Sequence, residues 1–213
     1  MIAGKAKIVI PGIDRGIQPR DYRLKRRAAP TVNPGTTPRV DLEPLTAAHA
    51  AELFYALSDP AIYAYIPDQP PASLDALTER YRRLETRASA DGTEQWLNWA
   101  VRRIEDRQCV GYVQATIYPE TTADFAYVLA PPFWGLGLAR EASEMALSLL
   151  FGEFQVPAVF ATVDKRNIRS TGLLTRLGFE RIPPAAYPHG EVLTEDDVFR
   201  LKRAARAGDG GAD

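Results

Sequence analysis

The chain has 213 residues, 46% of them apolar, which is ample for one hydrophobic core. It holds no run of about 18 apolar residues and no charged-then-apolar leader, which argues against membrane insertion and secretion. Cys109 is the only cysteine, so an internal disulfide is excluded and the cytoplasm is the expected location.

Net charge is only −1 but unevenly spread. Residues 1–37 hold eight Lys/Arg (Lys5, Lys7, Arg15, Arg20, Arg23, Lys25, Arg26, Arg27) against Asp14 and Asp21, and the rest holds 18 Lys/Arg against 25 Asp/Glu. This basic arm reads as a solvated, partly disordered extension ending in the linker-like Pro30, Pro34, Gly35 and Pro38. The alternative is a weak contact with nucleic acid, a ribosome or the acidic body. Within the arm, residues 5–10 alternate well enough to add an edge strand.

The body opens with a strand at 39–43 and a helix capped by Thr46, with Ala50, Leu53, Phe54 and Leu57 inward and His49 on its surface. A second helix starts at Ser73 and carries Leu74, Leu77, Tyr81 and Leu84. Strands near 96–103 and 109–117, turned at residues 105–108, precede a third over 123–129. An amphipathic helix beginning near Ala139 puts Leu138, Ala142, Met145, Ala146, Leu149 and Leu150 on one face. A buried strand over 158–163 is followed by a short helix capped by Asn167 and stopped by Gly178. Two strands close the body, with His189 in the segment between them, and residues 203–213 read as a frayed tail. Three sequential strands favour antiparallel pairing, and the strand–helix–strand passages favour parallel neighbours. The result is a mixed sheet with helices on both faces.

Trp134-Gly135-Leu136-Gly137-Leu138-Ala139 lies between the 123–129 strand and the helix. Strand, glycine turn and helix start in that order leave several backbone N–H groups unpaired and aimed at one spot, which suits a phosphate. Two familiar phosphate loops fit badly. The dinucleotide fingerprint needs a small residue where Arg140 stands, and the P-loop needs an absent Gly-Lys-Ser/Thr.

Together, Trp-Gly-x-Gly-x-Ala-x-Glu-Ala at 134–142, Asn-x-x-Ser at 167–170 and Leu-Gly-Phe at 177–179 resemble the Gcn5-related N-acetyltransferase (GNAT) superfamily. Arg39-Val40-Asp41-Leu42-Glu43-Pro44-Leu45, Ser58-Asp59-Pro60, Ser73-Leu74 and Cys109-Val110-Gly111-Tyr112 extend the resemblance to the branch that acetylates ribosomal-protein N-termini. The likeness spans about residues 38–202 and implies one domain of α+β (α/β) class. Its central sheet is mixed, mostly antiparallel and of about seven strands, with a splayed notch between the fourth and fifth.

The resemblance further implies acetyl-CoA as donor. Backbone N–H groups of Gly135, Leu136, Gly137, Leu138, Ala139 and Arg140 would hold its pyrophosphate. The exposed backbone of Tyr127, Val128 and Leu129 would pair with the pantetheine arm and supply the oxyanion donor for the thioester oxygen. Trp134 is a wall beneath the loop or a cofactor contact. Asn167 resembles the residue that touches the pantetheine arm, and Ser170 the one that approaches the sulfur.

An N-terminal amine has a reference pKa of about 7.7–8.0 against about 10.4 for lysine, so it needs less help from a base. Asp124 stands where relatives carry Glu and is the leading base, working through a water; a structural strand carboxylate is the competing reading. Cys109 reads as a small buried hydrophobe, and His189 as a solvated loop residue near the acceptor site. No His, Cys and carboxylate cluster has metal-ligand spacing, so no metal is expected. Tyr63, Tyr65, Ile66 and residues 67–71 would overhang the acceptor, with Asp59 or Asp68 attracting a cationic amine.

The expected activity is amine N-acetylation by direct attack in a ternary complex, on a peptide N-terminus or a small molecule, by a monomer or homodimer without membrane contact. A non-catalytic acyl-CoA-binding or regulatory module of the same fold is the second reading. An RNA-binding protein driven by the arm is the third, lacking an aromatic stacking pattern.

Overall fold

A computed structural model describes residues 37–204. The basic arm over 1–36, the edge strand expected at 5–10 and residues 205–213 of the tail lie outside the described residues. Arg203, expected to fray, instead donates its backbone N–H to Pro157 O at 2.9 Å and extends the last strand's anchorage.

The described elements are β1 (Val40–Pro44), α1 (His49–Leu57), α2 (Leu74–Leu84), β2 (Gln95–Arg103), β3 (Cys109–Ile117), β4 (Ala123–Leu129), α3 (Leu138–Gly152), β5 (Ala158–Asp164), α4 (Ile168–Arg176), β6 (Glu180–Ile182) and β7 (Asp196–Lys202). Their order is the one expected. Three short 3-10 turns at Pro60–Ala64, Pro131–Phe133 and Pro184–Ala186 are added, each beginning at a proline whose fixed φ suits a helical first residue. Among the described residues no helix is long and apolar enough to cross a membrane.

The strands form one sheet in the order β1-β2-β3-β4-β5-β7-β6, antiparallel throughout except for β4 beside β5. That pair is parallel because α3 carries the chain back between them. Alternation along the strands sorts the apolar residues into two layers. Leu97, Trp99, Val113, Phe125 and Val159 pack under α3 and α4 with Leu138, Ala142, Ala146, Leu150 and Leu174. On the opposite face, α1 and α2 set Leu53, Leu57, Leu77 and Tyr81 against Ala100 and Val128, and a separate cluster of Phe160, Ile182 and Val198 lies beyond β4. Asp124 sits on this second face between the two clusters.

Helix punctuation is mostly as the residues suggest. Ser73 Oγ accepts from the Ala76 N–H and Asn167 Oδ1 from the Ser170 N–H, both at 3.1 Å. Thr46 is the exception. Its hydroxyl meets His49 Nδ1 at 2.9 Å instead of capping α1, and His49, expected on the surface, is buried with Nε2 3.2 Å from Glu43 Oε2. An imidazole within reach of Thr46 and Glu43 competes for the hydroxyl, and the first turn closes through the Thr46 carbonyl instead.

A bulge interrupts the β2–β3 pairing near the turn that joins the two strands. Val101 faces Gly111 while Arg102 faces Cys109, so Val110 is the extra residue and the strand bends there. Gly111 lies so close to β4 that a Cβ would come within 2.1 Å of Val128 O and 2.7 Å of Leu129 Cα. Backbone cannot move aside as a side-chain tip can. Gly111→Ala is expected to cost about 2–3 kcal/mol of stability; a urea melt indistinguishable from wild type would show that β3 and β4 have slack here.

Candidate active site

The glycine turn adopts the expected geometry. Gly135 and Gly137 have φ of 76° and 78°, left-handed values that side chains resist, and Gly137 starts the 15-residue α3. The first amide to bond back is that of Glu141, to Gly137 O at 3.2 Å. The N–H groups from Gly135 through Arg140 therefore have no acceptor among the described residues. Six consecutive free donors at the positive end of a long helix form an anion cradle.

The cradle has a clamp that local spacing does not announce. Arg39, just ahead of β1, donates from Nε to Glu141 Oε2 at 3.0 Å and from Nη1 to Leu136 O at 2.9 Å. Glu141 is 7% exposed and also accepts from the backbone amides of Arg39 and Val40. One guanidinium thus ties the bend to the first turn of the helix it starts. Arg140, the cation the motif offers, points its Nε at Glu144 Oε1, 2.8 Å away. Arg39→Ala would leave the Glu141 carboxylate buried with amides alone, at about 1–3 kcal/mol. We expect a lowered melting temperature and anion affinity several-fold weaker by calorimetry; full affinity would mean that the bend holds its shape unaided.

Beyond the bend the sheet opens. β4 and β5 meet only at Ala123–Val159 and Asp124–Phe160, although β4 runs on to Leu129 and β5 to Asp164. Each is held on its outer side, β4 by β3 and β5 by β7 along their full lengths, so the two diverge with the twist. The Ala130 amide donates to Val110 O while Leu129 faces Gly111, which fixes the ladder's phase. In that phase Tyr127 and Leu129 turn N–H and C=O into the split, and Val128 turns its own toward β3. Val128 therefore departs from the expected backbone role and contributes a buried side chain instead.

Trp134 stands inside this opening. Its Nε1–H donates to Leu129 O at 2.6 Å, and the Arg169 guanidinium lies 5.4 Å from its ring centroid. The indole walls the split and also occupies one of its carbonyls. The first turn of α4 forms the facing wall. Ser170 is brought near β4, where the Tyr127 hydroxyl lies 3.5 Å from the Ser170 carbonyl, and the Ser170 hydroxyl has no partner among the described residues. Asn167 Oδ1 is spent on its cap.

Asp124 occupies the closed end of the split, 8% exposed. Its Oδ2 accepts from Tyr118 at 2.9 Å and from Tyr187 at 2.6 Å, whereas Oδ1 is buried without a partner. Burial outweighs the two hydroxyls and pushes its pKa up to about 6. His189 is no solvated loop residue. Its ring stacks on Tyr118 at 3.8 Å, Nε2 lies 3.1 Å from Thr122 Oγ1, and burial pushes its pKa down to about 4. Tyr118 and Tyr187 as partners of Asp124 escaped the sequence reading; Tyr187 stands 63 positions away and meets it only after β7 folds beside β5.

Cys109 is buried, its thiol pushed up to about 11 by desolvation, as suits a packing residue. No group of three or more His, Cys, Asp or Glu among the described residues has the geometry to hold a metal ion. Tyr65 has the Arg166 guanidinium 5.8 Å from its ring centroid, which links its segment to the turn before α4.

A family model described as an Acetyltransferase (GNAT) domain matches residues 39–180. Among curated proteins, the uncharacterized N-acetyltransferase YoaA of Bacillus subtilis is 21% identical over 147 residues, which cover 68% of this chain and 81% of that protein. Among solved structures, a GNAT-family acetyltransferase from Bacillus anthracis superposes with TM-score 0.63 at 19% identity, covering 78% of this chain and 96% of the other. A spermidine N-acetyltransferase from Vibrio cholerae, solved with CoA and spermine, gives 0.60 at 21% over 76% and 93%. A candidate ribosomal-protein-serine acetyltransferase from the same organism gives 0.62 at 18% over 79% and 96%. At these identities the structural likenesses establish the fold.

Proposed function

The chain belongs to the GNAT acetyltransferase family, and from that premise we propose that it moves acetyl from acetyl-CoA to a primary amine by direct attack in a ternary complex. The acceptor is a protein N-terminus or a small-molecule amine, in keeping with the ribosomal-protein branch that the motifs resemble. One observation carries the reading: six consecutive amides without an acceptor among the described residues lie beside a strand edge with unspent hydrogen-bonding groups. The amides of 135–140 suit a pyrophosphate, and the backbone of Tyr127 with the Leu129 N–H suits an extended amide-bearing arm lying in the split.

Asp124 is then the base. With a pKa of about 6 it is roughly nine-tenths ionised at pH 7, so it still accepts a proton while resisting ionisation less strongly than it would if fully apolar neighbours surrounded it. The acceptor ammonium gives one proton, through a water, to Asp124 Oδ1, which is buried and has no partner among the described residues. The freed nitrogen attacks the thioester carbonyl carbon, and its oxygen gathers charge opposite a main-chain N–H of residues 127–129, of which Tyr127 and Leu129 face the split. The C–S bond breaks as the C–N bond stays. The second amine proton passes to the departing sulfur, with the Ser170 hydroxyl relaying it by giving its own proton and receiving that of the amine. Asp124 returns its proton to solvent, so the turnover yields the amide, CoA thiol and one proton.

A non-catalytic acyl-CoA-binding module would have no use for a buried carboxylate held by two tyrosines with one oxygen left unpartnered. Calorimetry of the full chain with acetyl-CoA, paired with thiol release on a panel of amines, tests the proposal. Saturable binding with amine-dependent release is expected. Absence of binding removes the acetyltransferase reading, and binding without release on any amine moves the protein to the non-catalytic one.

A further inference from the structure

On the α1/α2 face of the sheet lies a narrow pocket floored by Asn98 of β2 and by Tyr112 and Gln114 of β3, with Tyr81 of α2 entering from above. Asn98 is the register partner of Gln114, and Gln114 that of Ala126, so the floor adjoins β4. Ala126 lies just past the closed end of the split, two residues from Asp124 and about 7 Å along the strand. The pocket's own lining stops at β3, so a molecule presenting an amine to Asp124 would reach it across Ala126.

The polar groups here are unspent. Tyr81 is 2% exposed, and its hydroxyl is buried without a hydrogen-bond partner. The Tyr112 hydroxyl and the side-chain amides of Asn98 and Gln114 have none among the described residues either. A buried polar group left unpaired costs stability, so the Tyr81 hydroxyl, with three further unspent polar side chains lining the same space, is matched to something that fills it. The charges, by contrast, are used up. Asp68 Oδ2 lies 3.3 Å from Arg80 Nη1, its other oxygen accepts from the Gln69 amide, and the Tyr63 hydroxyl donates to Leu57 O. An ammonium entering the pocket would lose its hydration and meet no free carboxylate.

We propose that this pocket binds uncharged hydroxyl or amide groups of the acceptor, which makes the substrate a primary amine bearing neutral hydrogen-bonding substituents and not a polyamine. The proposal rests on the acetyltransferase reading and narrows its acceptor class. An amino sugar and a peptide with a hydroxylated first residue share this chemistry, and matched substrates tell them apart.

The test measures thiol release by the full chain with acetyl-CoA and five amines: Ser-Gly-Gly against Ala-Gly-Gly, glucosamine against cyclohexylamine, and spermidine. At least one hydroxylated member is expected to exceed its matched partner by about tenfold in kcat/KM. Which pair discriminates identifies the source. Tyr81→Phe should bring that ratio back toward one through a raised KM, with kcat and melting temperature held, since removal of an orphaned hydroxyl does not weaken the fold. The pocket assignment is overturned if spermidine is preferred, if neither pair discriminates, if no hydroxylated amine is acetylated, or if Tyr81→Phe keeps the ratio. Failure of the wild-type chain to bind acetyl-CoA would bring down the acetyltransferase reading as well, whereas binding with any of those outcomes removes the pocket assignment alone.

Discussion

Asp124→Asn is expected to lower kcat by about 10²–10⁴-fold while making the protein more stable above pH 6. The two effects share a cause. In the folded chain burial holds the carboxyl near pKa 6, against about 3.8 when exposed, so between these values the folded state binds the proton that the unfolded state has released. Stability from this group is therefore complete below about pH 4, falls as pH rises through 6 and stays low above it. The full loss amounts to about 3 kcal/mol, at 1.36 kcal/mol per pKa unit. Asparagine keeps an oxygen for Tyr118 and Tyr187 and carries no charge to bury, so the variant should melt several degrees higher at pH 8.

His189 runs the other way. Its folded pKa near 4 lies below the usual 6.5, so the unfolded chain takes up the proton first and stability falls as pH drops below 6.5. The wild-type profile sums both slopes. Subtracting the Asp124→Asn profile isolates the carboxylate. Wild-type kcat should rise with pH through about 6 and level off, following the ionised base. A variant with wild-type turnover would take Asp124 out of the chemistry, and one with lost turnover but no gain in melting temperature at pH 8 would mean that the carboxyl is not strained by burial.

Gly137→Val should weaken acetyl-CoA binding by tenfold or more. Gly137 sits at φ of 78°, and a β-branched residue there costs on the order of 1–3 kcal/mol. Its Cβ would also fall 3.2 Å from an Arg39 guanidinium nitrogen, pressing on the clamp that holds Leu136 and Glu141. The chain escapes by moving the bend, which scatters the amides of 135–140. Gly135 has the same handedness with no atom within 4 Å of a Cβ, so Gly135→Ala meets backbone strain alone and should be milder. Calorimetry on both variants reads the contrast, and undiminished affinity in Gly137→Val would remove the pyrophosphate from this bend.

Much of the fold was legible because it is written in short-range spacing. The run 123–129, the glycines at 135 and 137, the caps at Ser73 and Asn167 and the stop at Gly178 each depend on neighbours within a few residues. Thr46 misled for the same reason, since a cap-like residue three positions before a helix says nothing of a histidine that claims its hydroxyl. His189 read as a solvated loop residue because the rings that half-bury it, Tyr118, Tyr187 and Phe160, come from distant parts of the chain or pack on it only in the folded state.

By itself, then, the amino-acid sequence determined the order of strands and helices, the left-handed bend before α3 and the motif that marks the family. Tertiary structure decided the insertion of β7 between β5 and β6, the brevity of the β4–β5 pairing, the grip of Arg39 on Leu136 and Glu141, and the raised proton affinity of Asp124. The division has a physical basis. Propensity and capping act through one turn of backbone, whereas desolvation and ion pairing depend on which distant segments exclude water from a side chain, and that is set only when the sheet has closed.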